Sequence, residues 1–337
     1  MRILSAVSIL LIGATALAAP RIATPTTLVL PDGGKGIGFD DMGFAPTLHR
    51  VLVPAGRTGK LALIDPKTLT IETIGGFSAD ADTFAGGHGE GTTSADVGGG
   101  FLFASDRSRT GVELVDLKTL TIAGRTKLAG GPDYVRWVGA ANEVWVTEPS
   151  KQQIEFFALE KGSLVRKGTI AVAGGPESLI VDATRGRAYT HTWQDETVAI
   201  EIAKHREAAR WKNGCKGSRG IALDEKRGQL FVGCDEGKAT VLDVVHGGKQ
   251  LGSAKTGRGV DIVAYSPTLS HLYVPGGDDA TLTILGVAAA GTLSVLGSVA
   301  VAADSHCVAV DDAGHAYVCD PKHGSVLVVT DPFAASK

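Results

Sequence analysis

Short apolar runs alternate with polar turns along almost the whole chain. The stretch 215–243 shows the unit most clearly: "GIAL", "QLFVGC" and "KATVLD" are apolar, and the polar segments "DEKRG" and "DEG" separate them. Apolar runs of this length, bounded by Gly and charged residues, predict strands joined by hairpins. Windows with the helical i, i+3, i+4, i+7 spacing are few. The pattern therefore predicts an all-β protein.

The three-strand unit belongs to a larger repeat of about 42 residues that occurs seven times. Two repeats match almost position for position, as "LALIDPKTLTIETI" and "VELVDLKTLTIAGR" show. We place the repeats at about 36–77, 78–129, 130–174, 175–214, 215–257, 258–302 and 303–333. A period in this range is typical of four-stranded propeller blades.

The two ends of the repeat array complement each other. The seventh repeat holds only three predicted strands, and an isolated apolar run, "TTLVL" at 26–30, precedes the first repeat. We predict that this run supplies the fourth strand of the last blade, because a ring closed from both ends leaves no open sheet edge. An open solenoid would leave both features unexplained. The predicted fold is a single domain over 19–337, a seven-bladed β-propeller of four-stranded antiparallel blades.

Three short motifs carry a resemblance to a known repeat. The segments "LYVPGG", "LFVGCD" and "VLVPAG", each followed by an apolar strand ending in "ID", "LD" or "LG", resemble the YVTN-type β-propeller repeat over about 36–333. The resemblance implies a bacterial, exported protein. The same architecture serves lactonases, streptogramin-type lyases and subunits of redox enzymes, so the fold does not determine the function.

The first 18 residues have the features of a secretory leader. Arg2 precedes the apolar segment "ILSAVSILLIGATALA", which ends in the A-x-A site Ala16-Leu17-Ala18. We expect cleavage after Ala18. An uncleaved anchor is the alternative, but the segment is shorter than the roughly 20 residues of a membrane span. We therefore expect a periplasmic or secreted protein with no membrane span after cleavage.

The charge balance excludes one class of partner. The chain has 33 Lys and Arg against 36 Asp and Glu, a net charge of −3, and no basic block. Nucleic-acid binding needs a Lys- and Arg-rich face. We expect no nucleic-acid partner, and instead a small-molecule ligand or a periplasmic protein bound to a monomer.

The four cysteines fit two disulfides in an exported protein. In "CVAVDDAGHAYVC" a hairpin turn near Ala313 places Cys307 opposite Cys319. In the fifth repeat, pairing across "DEKRG" places residue 219 or 220 opposite Cys234, and Cys215 lies a few residues before the same strand. We predict the disulfides Cys215–Cys234 and Cys307–Cys319. A metal-thiolate site that includes His306 is the alternative.

The residues just before the first strand of each blade should surround the mouth of the central channel. Most of them are polar or ionisable: Asp40, Asp41, His88, Glu90, Asp133, Tyr134, Glu177, Arg219, Asp261 and His306. The loops between the second and third strands add further polar and aromatic residues: Arg57, Asp106, Arg107, Glu148, His191, Trp193, Asp235 and Asp320. Converging carboxylates repel one another unless a cation or a proton compensates. A solvated rim and a ligand site with one divalent metal are both compatible with this pattern.

Three functional hypotheses follow. In the first, the chain is a binding or scaffold protein whose ligand meets Asp40, Asp133, Tyr134, His191, Trp193 and Asp261. In the second, it is a metal-assisted lyase or lactone hydrolase. Its candidate metal ligands are His88, Glu90 and His306. In this hypothesis His88, His306 and either Glu90 or Glu177 supply the ligand and base roles, and Arg219 holds an anion or a developing oxyanion. In the third, it is a subunit of a periplasmic redox complex. The sequence contains no G-x-S-x-G elbow, P-loop or H-E-x-x-H motif.

Overall fold

The computed structural model describes residues 20–79, 84 and 86–336, and the predicted leader at 1–18 lies outside them. Within these residues, 28 strands form seven four-stranded sheets, which are the blades of a propeller. Neighbouring strands of each blade run antiparallel. The predicted fold class is confirmed. No helix of the described residues is long and apolar enough to cross a membrane.

The strand bounds follow the predicted repeats. The first strand is β1 (Thr26–Val29). Blade 1 holds β2 (Gly43–Ala45), β3 (Arg50–Pro54), β4 (Thr58–Ile64) and β5 (Ile71–Ala79). Blade 2 holds β6 (Ala95–Gly98), β7 (Phe101–Asp106), β8 (Gly111–Asp116) and β9 (Thr121–Lys127). Blade 3 holds β10 (Val135–Val138), β11 (Glu143–Glu148), β12 (Gln153–Glu160) and β13 (Ser163–Ala171). Blade 4 holds β14 (Ile180–Asp182), β15 (Arg187–Thr192), β16 (Glu196–Glu201) and β17 (Arg206–Lys212).

The remaining blades repeat this arrangement. Blade 5 holds β18 (Ser218–Asp224), β19 (Gln229–Cys234), β20 (Lys238–Asp243) and β21 (Lys249–Lys255). Blade 6 holds β22 (Ala264–Ser266), β23 (His271–Gly276), β24 (Thr281–Val287) and β25 (Leu293–Ala300). Blade 7 holds β26 (Val308–Val310), β27 (His315–Asp320) and β28 (Ser325–Thr330). The helical elements among the described residues are four 3-10 turns, Gly33–Lys35, Gly139–Ala141, Pro149–Lys151 and Ile202–Lys204.

Both ends of the described chain build blade 7. Strand β1 pairs with β28, with Thr26 opposite Val328 and Val29 opposite Ser325. The predicted closure of the ring by an N-terminal strand is therefore confirmed.

Burial decreases from the inner strands of a blade to its outer strand. All six residues of β11 are buried, because both faces of this strand lie against neighbouring sheets. The outer strand β9 alternates between exposed and partly buried positions, since only one of its faces packs on the ring. The apolar core consequently lies between the blades, and the polar loops collect at the two ends of the channel.

Aspartates at the ends of third strands fix several turns. The Asp65 carboxylate accepts the backbone N–H groups of Lys67 at 2.9 Å and Thr68 at 3.0 Å. Asp116 and Asp243 make the same pair of bonds in blades 2 and 5. This local bond holds a turn that the chain needs in order to reverse direction. It accounts for the matching "DPKT" and "DLKT" segments of the first two repeats.

The structure contains both predicted disulfides. Cys215 joins Cys234 with 5.2 Å between the Cα atoms, and Cys307 joins Cys319 with 5.6 Å. All four cysteines are therefore bonded to one another rather than free.

One detail of the cysteine prediction was wrong. Ser218, and not residue 219 or 220, lies opposite Cys234. The register shifts between Ser218 and Ile221, because a bulge there inserts an extra residue into β18.

Candidate functional site

Two adjoining cavities open at the channel mouth. The large lobe has a volume of about 660 Å³ and is lined by Arg107, Gly131, Pro132, Asp133, Pro149, Glu177 and Trp193. The small lobe has a volume of about 260 Å³ and is lined by Asp235, Asp261, Asp278, Asp304 and His306. Both lobes include His88 and Arg219. The mouth is thus a divided, strongly charged pocket.

Arg107 is the centre of one charge network. Its Nη2 atom lies 2.7 Å from Oδ2 of Asp40 and also contacts the Asp133 carboxylate, while its Nε–H donates to Thr93 Oγ1 at 3.1 Å. His88 Nδ1 lies 2.8 Å from the same Asp40 oxygen. The loops before blades 1 and 3 are therefore tied together through a residue of blade 2.

The two carboxylates of this network have opposite pKa shifts. Burial raises the pKa of Asp40, but the charges of His88 and Arg107 outweigh burial and lower it. Burial raises the pKa of Asp133 well above its ordinary value, and the Asp40 charge adds to the rise, although Arg107 opposes it. Asp40 is consequently the more firmly ionised member of the pair.

Glu177, Trp193 and Arg219 form a second network. Arg219 Nη1 lies 2.9 Å from Oε1 of Glu177, and the Trp193 indole N–H donates to the other carboxylate oxygen. The Arg219 guanidinium also lies over the Trp193 ring, 5.4 Å from its centroid, which is the geometry of a cation–π contact. Burial and the charge of Asp261 raise the pKa of Glu177 to about 7. Trp193 nevertheless remains 60% exposed.

His306 is held between acceptors. Its Nδ1 atom lies 2.6 Å from the Asp304 carbonyl oxygen, and its Nε2 atom lies 3.1 Å from the Phe39 carbonyl oxygen. A ring with a proton on each nitrogen can donate to both acceptors, so this geometry favours the imidazolium form of His306. Burial alone would lower its pKa, but the Asp304 hydrogen bond and the Asp261 charge raise it to about 9.

This arrangement bears on the candidate metal ligands. The His88 and His306 rings are 5.9 Å apart between centroids. An imidazolium has no lone pair for a metal, and His88 already directs Nδ1 to Asp40. Glu90 is exposed and lines neither lobe but a third cavity of about 200 Å³, together with His88, Arg57 and Phe84. The three residues thus fit a metal only after His306 loses a proton and Glu90 changes position.

Asp261 differs from the other central carboxylates. It lines the small lobe and is only partly exposed. Among the described residues, no donor lies within hydrogen-bond distance of its side chain, and it forms no ion pair. Burial and the nearby Asp40 charge raise its pKa.

Two other candidate residues lie away from the lobes. His191 is fully buried, its Nδ1 lies 3.0 Å from Thr197 Oγ1, and burial lowers its pKa to about 3. The reason is that β15 continues to Thr192, so His191 is still inside the sheet while Trp193 lies beyond it. Tyr134 is 4% exposed and lies in the channel beneath the Arg136 guanidinium, 5.0 Å from its ring centroid.

Sequence reasoning missed part of the lining. Asp304 was not a candidate, although its carbonyl oxygen lies 2.6 Å from His306 Nδ1, because His306 alone was taken as the residue before the first strand of blade 7. Its place two residues before His306 in "ADSHC" was the available signal. Pro132 and Pro149 form apolar parts of the large lobe and have no feature that separates them from ordinary turn prolines.

Comparisons with known proteins give the fold. No protein-family model matches the chain, and no curated protein does. Solved structures do match. A chain in the crystal structure of the mitotic checkpoint complex has a TM-score of 0.76 and 13% identity, with 98% of this chain and 99% of that chain covered.

Two more solved structures are similar at comparable levels. Kuenenia stuttgartiensis hydrazine synthase has a TM-score of 0.70 and 14% identity, covering 90% of this chain and 97% of that chain. The β-propeller domain of Cps50 (Swd1) from Myceliophteria thermophila has a TM-score of 0.71 and 11% identity, covering 90% and 98%. At such identities the likeness concerns architecture alone. The chain is a seven-bladed β-propeller whose function must be argued from its own site.

Proposed function

We propose that the chain is a binding protein whose small-molecule ligand occupies the two lobes at the channel mouth. The observation that carries the proposal is the large lobe, about 660 Å³ in volume and lined by an exposed Trp193 beside Arg107, Arg219 and Glu177. Ligand sites combine a concave, partly apolar wall with a few fixed polar groups. Here the ion pairs hold the polar groups in place before any ligand arrives.

The proposal includes export to the periplasm or beyond. The two disulfides support it, since such bonds persist in oxidising compartments. The YVTN-type repeats and the leader ending at Ala18 support it as well. Mass measurement of the protein recovered from the periplasm of an expressing bacterium tests it, and a mature chain that begins at residue 19 is expected. An intact leader on a cytoplasmic protein would contradict export.

A steric block tests the binding site. Gly131 lines the large lobe, and a Cβ atom there would meet no atom within 4 Å. Gly131→Trp should therefore fill the lobe without disturbing the fold. The matched control is Gly75→Trp, because Gly75 lies on the exposed β5 and has equally open surroundings. A library of small acids, amines and sugars would be screened by thermal shift against the three proteins.

We expect stabilising compounds for the parent and for Gly75→Trp, and loss of that stabilisation in Gly131→Trp. Stabilisation that survives in Gly131→Trp would place the ligand elsewhere and overturn the proposal. A protein partner that binds the parent and Gly131→Trp equally would move the function to another face.

A metal-assisted lyase or lactone hydrolase is the second candidate. The observation that favours it is Glu177, whose raised pKa of about 7 suits a general base beside the anion-binding Arg219. Lactone opening by the parent, abolished in Glu177→Gln, would support the enzyme. Elemental analysis adds the metal test: near-stoichiometric divalent metal, lost in the double variant His88→Ala/His306→Ala, is then expected. A metal-free parent that does not open lactones would contradict the enzyme and favour the binding protein.

A further inference from the structure

We propose that the ligand of the mouth is a small molecule with a protonated amine joined to a ring, in which the ammonium group pairs with Asp261 and the ring packs on Trp193. This inference rests on the proposed binding function and specifies the class of ligand.

Most charged side chains at the mouth have a partner of opposite charge. Asp40 and Asp133 share Arg107, Glu177 pairs with Arg219, and the His306 ring is held by Asp304. Asp261 is the exception among these central groups, since no donor of the described residues reaches it. A partly buried carboxylate without a partner is costly to the protein. An ammonium group supplies three donors and a compensating charge at that point.

The small lobe has a negative net charge. The cations that face Asp261 are His88, His306 and Arg219, and each already has a carboxylate or carbonyl partner. Two further carboxylates, Asp235 and Asp278, stand at the exposed rim of this lobe, and neither forms an ion pair with a described residue. The lobe therefore has an excess of negative charge. It favours a cation and repels a carboxylate or phosphate.

Trp193 offers an exposed aromatic surface in the large lobe. Of the four tryptophans it is the exposed one: Trp145 is fully buried, and Trp137 and Trp211 are partly buried. An exposed indole in a cavity with Pro132 and Pro149 offers an apolar surface to a flat or cyclic group. Since His88 and Arg219 belong to both lobes, a ring in the large lobe lies next to the place of the amine.

Three probes of similar size separate the charge from the ring. They are 2-phenylethylammonium, the neutral 2-phenylethanol and the anionic 3-phenylpropionate, titrated at pH 7 against the disulfide-bonded protein. We expect the ammonium probe to bind at least about tenfold more tightly than the other two. Tryptophan fluorescence should change on binding, and this change should disappear in Trp193→Phe.

The variant Asp261→Asn keeps the size of the side chain and removes its charge. We expect it to lose the preference for the ammonium probe by about tenfold while the neutral probe binds as before. Asp312→Asn is the matched control, because Asp312 is an exposed carboxylate in the turn after β26, at the other end of the channel. It should retain the parent's preference.

The outcomes separate this inference from the function on which it rests. Equal binding of the three probes, no binding of any of them at about 10 mM, or an unchanged preference in Asp261→Asn would overturn the amine. Library compounds that stabilise the parent but not Gly131→Trp would still support a binding site at the mouth. If Gly131→Trp leaves all binding unchanged, the proposed function fails as well.

Discussion

At the scale of single residues, the channel mouth depends on a balance of buried charge. Arg107 is shared by Asp40 and Asp133, which belong to different blades. Removing its guanidinium would take the ion pair away from Asp133 and leave Asp40 with His88. Three ion pairs of this pocket, Arg107 with Asp40, Arg107 with Asp133 and Arg219 with Glu177, join residues of different blades and so stiffen it.

Glu177 gives this balance a measurable pH dependence. Burial and the Asp261 charge raise its pKa from 4.5 to about 7. Between these values the unfolded chain releases the proton and the folded protein keeps it, so this group's contribution to stability is complete below pH 4.5 and is lost as the pH rises to 7. Gln cannot ionise. The free energy of unfolding of Glu177→Gln, relative to the parent, should therefore rise by on the order of 3 kcal/mol from pH 4 to pH 8.

Urea unfolding at a series of pH values provides the measurement. Parent and variant curves that stay parallel across this range would show that Glu177 ionises normally in the folded protein. Glu201 serves as a control site: it ends β16, and its hydrogen bond to Lys204 lowers its pKa, away from this window. Glu201→Gln should show little pH-dependent difference in this window.

The residues of the mouth could be predicted in part. Glu177, Arg219 and Asp261 were identifiable because a residue's place in the repeat fixes the end of the channel at which it lies. The pairing of Glu177 with Trp193 was not, because it depends on side-chain directions at the end of β15. His191 shows the same difficulty: it lies two residues before the exposed Trp193, inside β15, and is fully buried.

At the scale of strands and blades, close packing between sheets depends on small residues. The Trp137 ring of β10 stacks on Phe103 of β7, with 5.6 Å between centroids and 9° between planes. The ring has room because Gly98 on β6 has no side chain: a Cβ atom there would lie 2.1 Å from Trp137 Cδ1. Blade 3 can therefore approach blade 2 only while position 98 stays a glycine.

The variant Gly98→Ala should lower the free energy of unfolding by about 1–3 kcal/mol, the usual cost of overpacking. The control Gly75→Ala places the same methyl group on β5, where it meets no atom within 4 Å. It should be neutral or slightly stabilising, since alanine costs less conformational entropy than glycine in a strand. Denaturant melts of the two variants give the comparison. An equal stability of both would show that Trp137 moves aside.

The second disulfide makes a prediction about blade 7. Cys307–Cys319 closes a loop with a sequence separation of 12. Cys307→Ser should cost about 3 kcal/mol under oxidising conditions, in the chain-entropy account of a crosslink. In reductant, parent and variant should unfold at similar denaturant concentrations. A difference that persists in reductant would show that packing at Cys307, and not the crosslink, stabilises the blade.

The two cysteine pairs illustrate what strand patterns can and cannot predict. The hairpin of "CVAVDDAGHAYVC" has a regular register, and Val308 lies opposite Val318 as counting from the turn requires. In blade 5 the same counting was wrong by at least one residue, because the bulge before Ile221 has no clear signature in "GSRGIAL". Counting is reliable only where the ladder is unbroken.

At the scale of the whole molecule, the repeat period and the complementary ends were sufficient to predict the ring. The isolated apolar run 26–30 lacked a neighbouring strand, and the final repeat lacked a fourth strand, so each completed the other. The cavities could not be predicted in the same way. Their volumes depend on how blades 2 to 7 pack around the channel, and contacts between blades set that packing rather than any one repeat.

Strand β1 protects the outer edge of β28. Deleting 26–29 should expose an unpaired strand edge and cause concentration-dependent self-association, which sedimentation velocity would detect. Val29→Thr is the control: Val29 is 66% exposed, so the change keeps the strand and removes little packing. A deletion variant that sediments like the parent would show that another segment covers this edge.

The pairing of Thr26 with Val328 also orders events in time. Contacts between residues so far apart in sequence form late, since the intervening chain must first become compact. During synthesis, β1 is the first of the described strands to emerge and its partner β28 is the last. Six blades can assemble before the ring closes, and throughout that interval two sheet edges are open to other nascent chains. Such a protein needs chaperones to cover its open sheet edges until β28 has been synthesised.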